Sequence, residues 1–148
     1  MHPVGELLPE DEPLILPPNT SVLEACVRMR EARVGAVLVS EGDGSLMGVF
    51  TERDLMTRVV AAERDPSRTQ LAEVMTRDLY TTRPDVPTSQ VRRELRRRHI
   101  RHAPVLDEQN RVIAMLSLRD LLRADLNDKK QEVKAITEYI QGGFQANS

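Results

Sequence analysis

Residues 48–54 read GVFTERD, and residues 114–120 read AMLSLRD. Asp120 minus Asp54 is an offset of 66, and the correspondence runs well beyond the motif. At that offset PPNTSVLEACVRMREARVGAVLVSEGDGSLMGVFTERDLM lies on RPDVPTSQVRRELRRRHIRHAPVLDEQNRVIAMLSLRDLL without a gap. Identities are few: Pro18/Pro84, Arg30/Arg96, Val39/Val105, Arg53/Arg119, Asp54/Asp120 and Leu55/Leu121. Apolar positions keep register far better, as at Ala25/Val91, Met29/Leu95, Val34/Ile100, Leu46/Val112 and Val49/Met115. A tandem duplication of this kind constrains the fold strongly, because each unit must bury what it cannot cover alone against its twin.

Each unit has the same order of elements. A short extended piece (14–16; 79–82) enters a Pro-rich turn. A helix follows, with Val22, Ala25, Cys26 and Met29, or Val91 and Leu95, on one face at helical spacing. An apolar strand (36–40; 103–107) then leads through Gly42-Asp43-Gly44, or Glu108-Gln109-Asn110, to a second strand (46–50; 112–116). The two strands are predicted to pair antiparallel across that turn. A last helix begins at the hydroxyl residue, with Leu55, Met56, Val59 and Val60, or Leu118, Leu121 and Leu122, facing inward. The unit is β-α-β-β-α, and the fold class is α/β. Beyond it, NDKKQEVKAITEYIQGG carries a narrow stripe of Val133, Ile136 and Ile140, which Gly142-Gly143 is expected to end. The chain divides into an arm (1–13), a first repeat (14–62), a linker (63–70), a second repeat (71–124) and a C-terminal helix with its tail (125–148).

The recurring motif admits two readings. Thr51 before a helix is a good N-cap, and Asp54 at the third helical position completes a capping box; Ser117 and Asp120 repeat the arrangement. The same geometry suits a ligand. A helix N-terminus offers free N–H groups and partial positive charge to phosphate, and a carboxylate one turn on can accept the paired hydroxyls of ribose. Arg53 and Arg119 are not needed for a cap, yet both are present.

Composition narrows the partners. A formal charge of −2 favours neither a polyanion nor a membrane surface, and four aromatic residues leave little to stack on single-stranded bases. The single Cys26 allows no internal disulfide and no zinc cluster, and its place on an apolar helix face reads as core. No apolar run approaches the ~20 residues of a membrane span. The start, MHPVGELLPEDEP, is acidic where a signal peptide is basic and then apolar. The expected setting is a bacterial-type cytoplasm.

VRRELRRRHIRH packs six arginines and two histidines into twelve residues. It reads as a solvated helix face opposite Val91 and Leu95, with a phosphate-attracting rim as the alternative and nucleic acid a weaker third. Its like-charge pairs Arg92-Arg96 and Arg93-Arg97 call for something anionic nearby. His99 and His102 lack a carboxylate or Cys at ligand spacing, so no metal is expected. Asp54 and Asp120 have no nucleophile and oxyanion partners, so no catalysis is expected either.

GVFTERDLMTRVV and MLSLRDLLRA, preceded by VGAVLVSEGDGSLMGV and IRHAPVLDEQNRVIAM, resemble a tandem of cystathionine-β-synthase-type (CBS) domains, a Bateman module. The similarity covers about residues 5–124. Glu73-Val74-Met75-Thr76 is typical of how a second repeat opens, and VKAITEYIQGG is similar to the tails of stand-alone bacterial members. The resemblance implies two β-α-β-β-α repeats packed through their sheets with pseudo-two-fold symmetry. It implies two clefts for an adenosine-containing ligand: AMP, ADP, ATP, NAD(H) or S-adenosylmethionine. Asp54 and Asp120 then bind ribose. Thr51, Ser117, Arg53, Arg119, Arg101 and His102 lie by phosphate. Gly35, Ala36, Val37, Ala103, Pro104, Leu16 and Thr82 form base pockets.

Two departures stand out. The motif's glycine is Gly48 in the first unit but Ala114 in the second, and Gly35-Ala36 stands where the second unit has Arg101-His102. The two clefts are therefore expected to differ in affinity, with the cleft served by the basic pair left open. The functional expectation is a non-catalytic sensor, a homodimer reinforced by the C-terminal helix, which signals to an unknown protein partner in trans. The alternative is a structural or dimerisation module with empty slots.

Overall fold

The computed structural model describes residues 2–146, with side chains to Gly142. The first repeat comprises β1 (Ile15–Leu16), α1 (Val22–Ala32), β2 (Ala36–Val39), β3 (Gly48–Thr51) and α2 (Glu52–Asp54), which widens into a π-helical stretch, Leu55–Val60. A short helix α3 (Leu71–Val74) follows. The second repeat has α4 (Thr88–Arg98), β4 (His102–Leu106), β5 (Val112–Ser117) and α5 (Leu118–Ala146). β1 runs parallel to β2, and β2 pairs antiparallel with β3, setting Ala36 opposite Thr51 and Val37 opposite Phe50. β4 and β5 pair antiparallel, with His102 opposite Ser117 and a bulge at Val105/Leu106. The second copy of β1 is reduced to one parallel bridge, Thr82 to Val105.

Three apolar clusters hold the molecule. Ala36, Leu38 and Val49 on the first sheet meet Val112 and Met115 on the second, with Leu46 and Leu79 at the margin, so the repeats pack through their sheets. The other two clusters lie under the helices, and each borrows residues from outside its own repeat. Leu71, Val74 and Met75 complete the core around Val22, Ala25, Val37 and Phe50. Val4, with Leu7 and Leu8, completes the core around Val91, Leu95, Val105 and Leu116. Backbone bonds mirror this exchange. Val22 N–H donates to Thr69 O (2.8 Å), while Thr88 N–H donates to His2 O (2.9 Å) and Val4 N–H to Val86 O (2.8 Å). The arm at residues 2–8 thus belongs physically to the second repeat, and residues 71–75 to the first.

The same exchange explains the glycine of the motif. Past α3 the chain pairs with β3, where Val49 N–H donates to Thr76 O (3.0 Å) and Thr76 N–H to Val49 O (2.8 Å). A Cβ on Gly48 would lie 2.7 Å from Met75 Sδ and 2.8 Å from Thr76 O. No such bridge crosses β5 among the described residues, so Ala114 is accommodated there.

Two expectations need correction. Met56, Val60 and Leu122 do not face inward; they are 59%, 63% and 53% exposed. Leu55 and Val59, or Leu118 and Leu121, already fill the stripe that each core can take, and the wide π turn carries Met56 and Val60 outward. Gly142-Gly143 does not end the last helix, which continues from Leu118 to Ala146. Glycine permits a left-handed stop but does not impose one. The expected C-terminal helix is present as the extension of the second repeat's own last helix.

Candidate functional site

Both motifs form the capping boxes their residue types allow. Asp54 N–H donates to Thr51 Oγ1 (3.2 Å), and Thr51 N–H donates to Asp54 Oδ2 (3.0 Å). Asp120 N–H donates to Ser117 Oγ (3.1 Å), and Ser117 N–H to Asp120 Oδ2 (3.0 Å). Each motif is also tied to the strand beside it: Glu52 N–H donates to Gly35 O (3.1 Å) and Leu118 N–H to Arg101 O (2.8 Å). Gly35 and Ala36 therefore sit beside Thr51, while Arg101 and His102 sit beside Ser117. The basic pair lies with the second motif, an assignment that the sequence leaves open.

The two carboxylates differ in what else they hold. Asp54 is 5% exposed; its carboxylate accepts from the Thr76 hydroxyl (3.1 Å to Oδ1) and faces Arg58 Nε at 3.6 Å. Asp120 is half-buried, and among the described residues no hydrogen bond reaches its Oδ1. It lines a groove of about 340 Å3 with His2, Glu6, Leu7, Arg123, Asn127 and Asp128, between the N-terminal arm and α5. One motif carboxylate is thus committed inside the protein and the other keeps an open oxygen.

Arg53 and Arg101 face a second groove, of about 410 Å3, together with Arg92, Arg96 and His99 over a floor of Leu95, Ile100, Leu118 and Leu122. Arg53 Nη1 donates to His99 O (3.0 Å), linking the first motif to the end of α4. The rest of the arginine-rich helix is largely self-satisfied. Arg97 and Arg98 hold Glu94 at 2.7 and 3.1 Å, Arg98 lies over the Tyr80 ring, and Arg92 pairs with Asp125. Arg97 and Arg98 fit the solvated-face reading, while Arg96 and Arg101 line the groove. Arg119 is exposed at the start of α5.

Among the base-pocket residues, Leu16, Ala36, Val37, Ala103 and Pro104 are buried and Gly35 is half-buried. Thr82 Oγ1 is buried without a hydrogen bond of ordinary geometry; the nearby Tyr80 phenol is the group it influences. Two residues escape a reading of the sequence. Thr76 reaches Asp54 from outside the first repeat, and its Glu-Val-Met-Thr setting is the available signal. Glu52 packs its carboxylate within 3.3–3.4 Å of where a Gly35 Cβ would lie and acts electrostatically on His102. Burial lowers the His102 pKa below its ordinary value, opposed by Glu52 and Asp120 and assisted by Arg101. Among the described residues no group of three or more His, Cys, Asp or Glu could hold a metal ion, and no helix is long and apolar enough to cross a membrane.

A duplicated β-α-β-β-α unit with a hydroxyl-x-x-Asp helix start in each copy defines a paired-repeat module. The chain belongs to the CBS family, whose model, described as CBS domain, matches residues 4–61 and 71–127. It is 30% identical over 130 residues to a mitochondrial CBS domain-containing protein of Arabidopsis thaliana, covering 85% of this chain and 63% of that one. It spans less than two thirds of the curated relatives it matches, and 24% of another Arabidopsis thaliana CBS domain-containing protein. Among solved structures, a protein with CBS domains from Burkholderia ambifaria superposes with a TM-score of 0.79 at 30% identity, over 85% of this chain and 95% of that one. A CBS domain protein from Pyrobaculum aerophilum, complexed with AMP, superposes with a TM-score of 0.72 at 25% identity, over 80% and 88%.

Proposed function

We propose that this chain is a non-catalytic regulatory module that binds an adenosine-containing ligand, first in the cleft of Ser117 and Asp120. The observation that carries this reading is the contrast between the carboxylates: Asp54 holds Thr76 and Arg58, whereas Asp120 keeps an uncommitted oxygen and acts electrostatically on His102. Asp120 accepts ribose hydroxyls, Ser117 and His102 meet phosphate, and Arg101 attracts it. Asp54 and Thr51 form a weaker second site, because ribose there must displace the Thr76 hydroxyl. The AMP complex of the Pyrobaculum aerophilum relative supports the ligand class. The module works in the cytoplasm as a homodimer and passes occupancy in trans to a protein partner through its exposed helical faces.

The test is a thermal-shift and calorimetric screen with AMP, ADP, ATP, NADH and S-adenosylmethionine, with wild type beside Asp54→Ala and Asp120→Ala. Stabilisation by at least one ligand, lost in Asp120→Ala, is the expected result. If none stabilises at millimolar concentration, the structural reading stands, for which both completed capping boxes are the supporting observation.

A pH dependence follows from His102. Its folded-state pKa is lowered, so this group's contribution to stability is complete above the ordinary value of 6.5 and is lost as pH falls below it. Phosphate beside the ring favours the protonated form and opposes that loss. AMP is therefore expected to bind a few-fold more tightly at pH 6 than at pH 8, short of the ~10-fold or more of a full charge-assisted hydrogen bond because the lowered pKa leaves only part of the rings protonated. His102→Asn should flatten the profile in calorimetric titrations; an unchanged slope would remove His102 from the phosphate site.

A further inference from the structure

From Lys129 to Gly142 every residue of α5 is exposed, although the helix continues to Ala146. At ~3.6 residues per turn, the stretch from Lys129 to Gly142 extends for nearly four turns with no core to justify it. Its apolar residues are nonetheless ordered. Leu122, Leu126, Lys129, Val133, Ile136 and Ile140 follow one another at alternating steps of four and three, a heptad seam in which Lys129 is the one polar member. The five apolar members are 53–63% exposed. The seam starts on the folded module, where Leu122 and Leu126 correspond at the 66-residue offset to the exposed Met56 and Val60.

We propose that this seam pairs with the same helix of a second copy of the chain, in parallel, as a two-stranded coiled coil. The residues flanking the seam decide the orientation. On one flank lie Arg123, Lys130 and Thr137, on the other Asp125, Glu132 and Tyr139. In a parallel pair opposite flanks meet, so Asp125, which Arg92 already holds, approaches the partner's Lys130, and Glu132 approaches the partner's Thr137. In an antiparallel pair like flanks meet, which sets carboxylate against carboxylate and Lys130 against cations.

Lys129 fixes the number of strands. In a two-stranded coil its long stem lies along the seam and the ammonium reaches water at the edge, flanked by Asp125 and Glu132 on its own helix. Three or four strands would enclose the charge in an apolar core, where it is strongly disfavoured. The outer face is self-contained, with Lys134 facing Glu138 at 3.9 Å. This pairing does not depend on the ligand reading, and failure of one leaves the other standing.

The test uses the full chain, with native Cys26 alone as background, and single cysteines at seam positions (Ile136→Cys, Ile140→Cys) or on the outer face (Lys134→Cys). Mild oxidation should link Ile136→Cys and Ile140→Cys into disulfide dimers, but not Lys134→Cys or the wild type. Sedimentation equilibrium should show a dimer whose dissociation constant rises roughly tenfold or more in Ile136→Asp, the loss of one buried anchor. The tail is exposed, so this change leaves the module folded. The proposal is overturned by a monomer at high concentration, by a larger oligomer, or by linking only when Leu126→Cys is mixed with Ile140→Cys. A dimer that tolerates Ile136→Asp without seam cross-links overturns it too, since the contact would then lie on the Met56 and Val60 face.

Discussion

Gly48→Ala should destabilise the protein by about 2–4 kcal/mol, far more than a methyl group on an exposed strand. The added carbon meets Met75 Sδ at 2.7 Å and Thr76 O at 2.8 Å, and backbone cannot yield as a side-chain end can. Relief requires the chain at 75–76 to leave β3. That breaks the two bonds between Val49 and Thr76 and removes the Thr76 hydroxyl from Asp54. Ala114→Gly at the matching position should cost only ~0.5–1 kcal/mol, the ordinary expense of a strand glycine. Urea denaturation of both variants makes the comparison. A Gly48→Ala protein within about 0.5 kcal/mol of wild type, the margin of an ordinary surface substitution, would mean that the linker strand is not fixed where it lies.

Asp120→Ala is expected to weaken AMP binding at least ~10-fold while lowering stability by about 1 kcal/mol, the usual loss for a helix cap. Hydrogen bonds to a charged carboxylate contribute roughly 1.5–3 kcal/mol, which sets the size of the affinity loss. Asp54→Ala should behave in the opposite way. Removing that buried carboxylate strands the Thr51 N–H and the Thr76 hydroxyl, so about 2–3 kcal/mol of stability should go, with little change in the first binding event. Denaturation and calorimetry on both variants separate the roles. Equal affinity losses in the two would show that the clefts are equivalent despite their different partners.

Much of the site is legible in the amino-acid sequence. Thr51, Asp54, Ser117 and Asp120 sit at strand-to-helix junctions because the hydroxyl ends an apolar run and the carboxylate falls three residues on, a purely local relation. Local pattern cannot assign Arg101 and His102 to a cleft, because that depends on which strand lies beside which motif. The ladder pairing His102 with Ser117 sets the basic pair beside the second motif. Thr76 is invisible for the same reason: it lies 22 residues from the carboxylate it touches. Periodicity places Met56, Val60 and Leu122 inward, wrongly, because it marks an apolar stripe without saying how much of it the core can cover.

By itself the sequence determined the duplicated unit, its strand and helix order, and the two hydroxyl-x-x-Asp helix starts. All of these follow from periodicity and capping, which act over a few residues. Tertiary structure alone decided that each repeat's core is closed by chain from outside it, the arm at Val4 for the second and Leu71 to Met75 for the first. It also decided that Asp54 is occupied where Asp120 is open, and that the glycine of the motif answers to a crossing strand. Burial and close approach join residues far apart in the chain, and two copies of one local pattern acquire different chemistry from the different segments packed against them.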